Sequence, residues 1–171
     1  MKIIRHFFFC ACMILLAGCP EIEPVPEIPE IEFVSFTLSE DTDDLGNLLV
    51  VGELIFSFQD GDGDIGLQEP DTVMPGDTTV YNLFFTMFKK IGGEYFEISE
   101  DDLGSPLNYR IPYIEPREGQ NKILTGEINI LFEYPNIQYD TIRYDFFITD
   151  RAMHKSNVES TPDIGLTEWK D

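Results

Sequence analysis

Apolar residues recur at every second position through most of this chain, and that period restricts it to extended strands with one buried and one wet face. The clearest case is Ile128, Ile130, Phe132 and Tyr134, which alternate with Glu127, Asn129 and Glu133. Ile142, Tyr144, Phe146 and Ile148 repeat the pattern. Further runs lie at 33–38, 48–58, 80–88, 95–98 and 109–114, and no segment carries a helical period of 3.6. The chain has 14 phenylalanines, of which Phe7, Phe8 and Phe9 fall in its first turn of sequence, and the rest suit the inner faces of two packed sheets. About seven strands with turn signals between them predict an all-β fold, an antiparallel β-sandwich, with a small barrel as the alternative.

The N-terminal end reads differently. Lys2 and Arg5 precede an apolar run at 7–16 that is too short to span a bilayer, the architecture of a secretory signal. It closes on Leu16, Ala17, Gly18 and Cys19, which resembles the lipobox of bacterial lipoproteins. That resemblance implies removal of residues 1–18 and attachment of a diacylglycerol to Cys19. Cys10 and Cys12 would leave with the signal and Cys19 would be consumed by lipid, so the mature domain has no thiol for disulfides, metal or catalysis. Residues 19–30 then form a tether in which Pro20, Pro24, Pro26 and Pro29 separate carboxylates and forbid helix or ladder. Glu21 and Glu23 resemble the export signals of lipoproteins that reach the outer membrane. Residues 31–171 are the expected β-sandwich domain.

The chain carries 32 acidic residues against 11 Lys and Arg, a formal charge of −21, and loss of Lys2 and Arg5 with the signal would take it to −23. Nucleic acid is excluded as a partner by charge, and an anionic lipid surface would repel the domain too. Membrane attachment therefore rests on the acyl chains.

One acidic cluster is concentrated. Asp60, Gly61, Asp62, Gly63, Asp64, Ile65 and Gly66 alternate carboxylates with residues that permit tight turns. Calcium takes six to eight oxygens, and a run of this kind can aim three carboxylates at one point. The segment resembles the calcium loops of EF-hands, dockerins and thrombospondin type 3 repeats, with Asp60, Asp62 and Asp64 at the first, third and fifth ligand positions and Asp71 at the twelfth. Ile65 stands where an EF-hand has glycine, so the loop is no EF-hand. A solvated Asp-Gly turn without an ion is the competing reading.

In an immunoglobulin-like strand order the 48–58 strand is B and the 142–148 strand is F, so that Asp60 and Asp150 meet at one pole. Both share the inward parity of their strands, following Phe56 and Phe58 on one and Phe146 and Ile148 on the other. An inward carboxylate needs a partner, which for Asp150 would be an ion, Arg151 or a backbone turn. The stretches FSFQDGDGDIG and FFITDRAMHKSN resemble bacterial lipoproteins of unassigned activity that carry one immunoglobulin-like or fibronectin type III-like domain. The resemblance spans 31–161 and implies architecture more than activity.

For catalysis the residues offer little. His154 is the one histidine beyond the signal, Ser156 lies near it without a nucleophile-elbow motif, and no Walker, dinucleotide or zinc motif occurs. The expected function is a non-catalytic, membrane-anchored envelope module, calcium-stabilised, for binding or assembly with a protein or glycan partner. The alternatives are a glycan-binding accessory protein, for which Tyr109, Tyr113 and Trp169 are the candidate aromatic platform, and a carboxylate-based glycosidase.

Overall fold

The computed structural model describes residues 25–43, 45–68, 80–104, 106–115, 119 and 122–169. The signal, Cys19 and Asp71 lie outside the described residues. Among the described residues nine strands form: β1 (Glu30–Thr42), β2 (Leu48–Asp60), β3 (Leu83–Ile91), β4 (Glu94–Glu97), β5 (Asn108–Tyr109), β6 (Leu124–Tyr134), β7 (Thr141–Ile148), β8 (Glu159–Ser160) and β9 (Ile164–Gly165). A four-residue helix, α1 (Glu100–Leu103), and a 3-10 turn (Thr167–Trp169) complete the described elements. Among the described residues no helix is long and apolar enough to cross a membrane.

The strands make two antiparallel sheets. One has the order β1-β2-β6; the other has β4-β3-β7-β8, with β5 added to β3 and β9 to β7. The expected all-β sandwich is the observed one, with β2 and β6 of one sheet facing β3 and β7 of the other. Leu54, Phe56 and Phe58 of β2 meet Leu83, Phe85 and Met87 of β3 and Ile142, Tyr144, Phe146 and Ile148 of β7 in a single core. Aromatic rings fill its centre: Phe85 lies edge-on to Phe132 at 5.3 Å, and Phe132 stacks on Tyr144 at 4.5 Å. Such pairs add roughly 0.5–1.5 kcal/mol each beyond their buried area.

Two expected strands are shortened, and two further strands appear. The 109–114 run contributes only Asn108–Tyr109 to the ladder, because Pro112 has no amide to donate and the Ile111 amide goes instead to Asn82 Oδ1 at 2.7 Å. The 80–88 strand starts at Leu83, since the Asn82 amide and carbonyl are spent on Tyr109 and Thr149. Strands β8 and β9 went unforeseen; each is two residues long, too short for a period to register.

Sheet closure relies on side chains where ladders end. Asn157 accepts from the Ile31 amide and donates to the Ile31 carbonyl, both at 2.8 Å, and so joins β1 to the chain beyond β7. Gly52 is another constraint: a Cβ there would lie 2.5 Å from the Phe36 ring and 3.0 Å from Tyr134. Gly52→Ala is expected to destabilise the domain by about 1–3 kcal/mol through displaced rings, measured as a lower urea midpoint with unchanged slope.

Candidate cation site at one pole of the sandwich

The inward parity of β2 and β7 carries past their last apolar residues. Asp60 follows Phe58 with 0% exposure, and Asp150 follows Ile148 with 1%. The loop after β2 then folds back so that Asp64 joins them. Asp60, Asp64 and Asp150 each bring one carboxylate oxygen within 4.8 Å of the others. Asp62, expected in the same set, is not one of those three, although its Oδ1 is also buried and without a hydrogen-bond partner.

Local chemistry explains the shape of the loop. Asp60 Oδ2 accepts the Asp64 amide at 2.8 Å, which closes the turn. Gly63 has φ 72°, and a Cβ on it would sit 2.3 Å from the Lys122 carbonyl oxygen, so conformation and packing both require glycine. Ile65, the departure from the EF-hand pattern, is 0% exposed and caps the core under the carboxylates. The chain beyond it is pinned by Leu67 N–H to the Ile111 carbonyl at 3.0 Å and by Arg110 Nη2 to the Leu67 carbonyl at 2.7 Å.

Of the protein partners expected for Asp150, the backbone turn is realised and Arg151 is not, and the His154 side chain adds a second contact. The His154 amide donates to Asp150 Oδ1 at 2.7 Å, and His154 Nδ1 lies 2.9 Å from Oδ2. Arg151 instead donates through Nη1 to the carbonyls of Ile65 and Gly66. The reason is the tight turn at residues 150–154, where Met153 adopts φ 68° and the Asp150 amide reaches the His154 carbonyl at 3.2 Å. In sequence the Asp-x-x-x-His spacing permits this contact, but only if the turn between them closes, which Met153 does not announce.

Charge is crowded without full compensation. Asp60 Oδ1, Asp62 Oδ1 and Asp64 Oδ1 are buried and accept no hydrogen bond. Burial first, and then the neighbouring charges of Asp62, Asp64 and Asp150, push the Asp60 carboxyl up to about 6 despite the Asp64 amide, which acts the other way. Asp64 is raised as well, by burial and then by Asp150 and Asp62. The arrangement is a cluster of carboxylate oxygens under a tight Gly-containing turn. Since Asp60 and Asp150 are enclosed, a sugar ring has no path between their carboxyls.

The other candidates lie apart from this cluster. Ser156 is buried, accepts the Ile148 amide through Oγ at 3.0 Å and donates to the Asn157 carbonyl at 2.7 Å, so its hydroxyl is engaged in the backbone. Tyr109 packs edge-on against Phe85, Tyr113 lies under the Arg151 guanidinium at 5.1 Å, and Trp169 shares a depression with Leu48, Leu49 and Pro135. Tyr113 stands apart from the other two, whereas the depressions that Tyr109 and Trp169 border share Tyr134, Pro135, Asn136 and Ile137. The opposite end of the sandwich, where β6 finishes at Tyr134, holds a cavity of about 460 Å³ bordered by Met87, Leu107, Tyr109, Phe132, Tyr134 and Tyr144. The Tyr134 and Tyr144 hydroxyls bond to each other there at 2.9 Å, and burial raises both phenols. The two ends thus differ: one buries a cluster of carboxylates, and the other is lined by aromatic rings with Asp102 and Glu133 at the same cavity. No protein-family model matches the chain, and comparison with curated proteins and with solved structures returned no match.

Proposed function

We propose that this chain is a lipid-anchored envelope protein, held to the outer membrane through Cys19, whose non-catalytic immunoglobulin-like β-sandwich takes calcium at its acidic pole and serves in binding or assembly. The observation that carries the calcium reading is Asp60, fully enclosed, with an unpartnered Oδ1 beside the carboxylates of Asp64 and Asp150. A buried carboxylate with one oxygen left without a donor is costly, and a divalent ion offsets that cost at a single point. Oxygen-only ligands favour hard cations, and calcium tolerates irregular geometry where magnesium demands a regular octahedron. Asp62, on the same turn, is the fourth carboxylate available to the ion.

Isothermal titration of the full chain in detergent tests the ion. Calcium is expected to bind with one-site stoichiometry and more tightly than magnesium; absence of calcium heat would remove the reading. The anchor has its own test. Intact mass of the membrane-extracted protein is expected to show loss of residues 1–18 and addition of acyl chains at Cys19, and a Cys19→Ser form is expected in the soluble fraction. A mature species retaining Met1 would overturn the anchor and leave the calcium site untouched.

A further inference from the structure

The N-terminal approach to the sandwich does not run free up to β1. Gly61, between two of the acidic residues, donates its amide to the Pro26 carbonyl at 3.0 Å. A Cβ on Gly61 would lie 2.3 Å from the Pro26 carbonyl oxygen and 2.4 Å from that of Val25. Gly61 is not among the positive-φ glycines, so close approach of the two backbones is the reason a side chain cannot stand there. Pro29 is buried, and Glu30 pairs with Gln59 at the start of the β1–β2 ladder. On its other side the loop presses Gly63 against Lys122. The same turn therefore directs its carboxylates toward Asp150 and its backbone amide toward the incoming chain.

We propose that calcium at Asp60, Asp64 and Asp150 latches residues 25–29 onto the domain, so that the ion sets how much of the chain between anchor and sandwich is free. The inference rests on the calcium reading above. Without an ion, the carboxylates of Asp60, Asp64 and Asp150 crowd one another, Asp60 and Asp64 each keep a buried oxygen with no partner, and a rotation of the loop that separates them is favoured. Gly61 lies inside that loop, so such a rotation turns its N–H away from Pro26. With the ion in place the carboxylates are fixed and the amide is held toward the chain. Release of residues 25–29 adds roughly 17 Å of reach at about 3.4 Å per extended residue. Coupling of this sort is reciprocal: docking of the segment raises calcium affinity by the same factor by which calcium favours docking.

The test uses the full chain in detergent and a glutamate-specific protease, which cuts after Glu27 only when the segment leaves the domain. Rates are normalised to a free peptide substrate in the same solution. Calcium at 1 mM is expected to slow cleavage after Glu27 about tenfold relative to chelator, within the usual range of coupling between sites. Gly61→Ala is expected to be cut rapidly in both conditions and to bind calcium about tenfold more weakly. If wild type binds calcium by titration yet is cut at equal rates with and without it, the latch is overturned and the calcium site stands. If wild type binds no calcium, site and latch fall together. Should Gly61→Ala fail to fold, the wild-type rates decide alone, with equal rates overturning the latch and a tenfold difference sustaining it.

Discussion

Calcium raises the melting temperature of the full chain by about 5–10 °C over chelator, and Asp60→Asn removes that rise while melting above wild type in chelator; this is the expected outcome of a thermal-unfolding comparison at neutral pH. An ion at a hundredfold excess over Kd that binds only the folded state contributes about 2.7 kcal/mol. For a domain of this size each kcal/mol moves the midpoint by roughly 2–4 °C. Asparagine keeps the shape of aspartate and can still accept the Asp64 amide, now made to Asp60 Oδ2 at 2.8 Å, so the turn survives. What it loses is the charge an ion needs. In chelator that loss is a gain, because the enclosed Asp60 carboxyl no longer has to be ionised beside Asp62, Asp64 and Asp150. The opposite signs in the two solutions distinguish an ion site from a merely structural aspartate. If Asp60→Asn lowers the midpoint equally with and without calcium, Asp60 is structural and the ion site is lost.

How much of this was legible in the sequence depends on which atoms make the contact. Phe56, Phe58 and Asp60, like Phe146, Ile148 and Asp150, announce their side of the sheet through period two, and the strand order then brings the two carboxylates together. Ile65 looked like a defect in a calcium loop, and its role as a core plug follows only once the pole is assembled. The replacement of Arg151 by His154 as partner of Asp150 depends on a left-handed Met153, a conformation a sequence advertises when the residue is glycine or asparagine but not when it is methionine. The docking of the incoming chain was illegible for a plainer reason. It is made by the Gly61 amide and the Pro26 carbonyl, backbone groups that every sequence carries. Strands β8 and β9 were hidden similarly, since Glu159–Ser160 and Ile164–Gly165 are held to β7 partly by the Thr161 amide on the Tyr144 carbonyl, with the Thr161 hydroxyl accepting from the Tyr144 amide.

In chelator the domain loses stability as pH rises from about 4 to above 6, and calcium reverses that trend. Asp60 sets the sign. Its folded carboxyl, at about 6, lies above its ordinary value of 3.8, so the folded state holds a proton that the unfolded state releases between those values. Stability from that proton is complete below 3.8 and is lost as pH climbs through 6. The gap of about two units corresponds to roughly 3 kcal/mol at most, at 1.36 kcal/mol per unit. Asp64, also raised, acts in the same direction. Asp43 and Asp163, lowered by hydrogen bonds from Asn47 and from Lys90 and Tyr95, act oppositely but are exposed and confined to the acid range. Calcium competes with the proton for the same oxygens, so ion binding strengthens as pH rises and the loaded domain gains where the metal-free domain loses. Urea unfolding at pH 5.0 and 7.5, with calcium and with chelator, reads both slopes. Asp60→Asn should flatten the chelator slope, because the titrating group is gone. A wild-type domain more stable at pH 7.5 than at pH 5.0 in chelator would mean that Asp60 ionises at its ordinary value, and that its burial is relieved by solvent rather than by an ion.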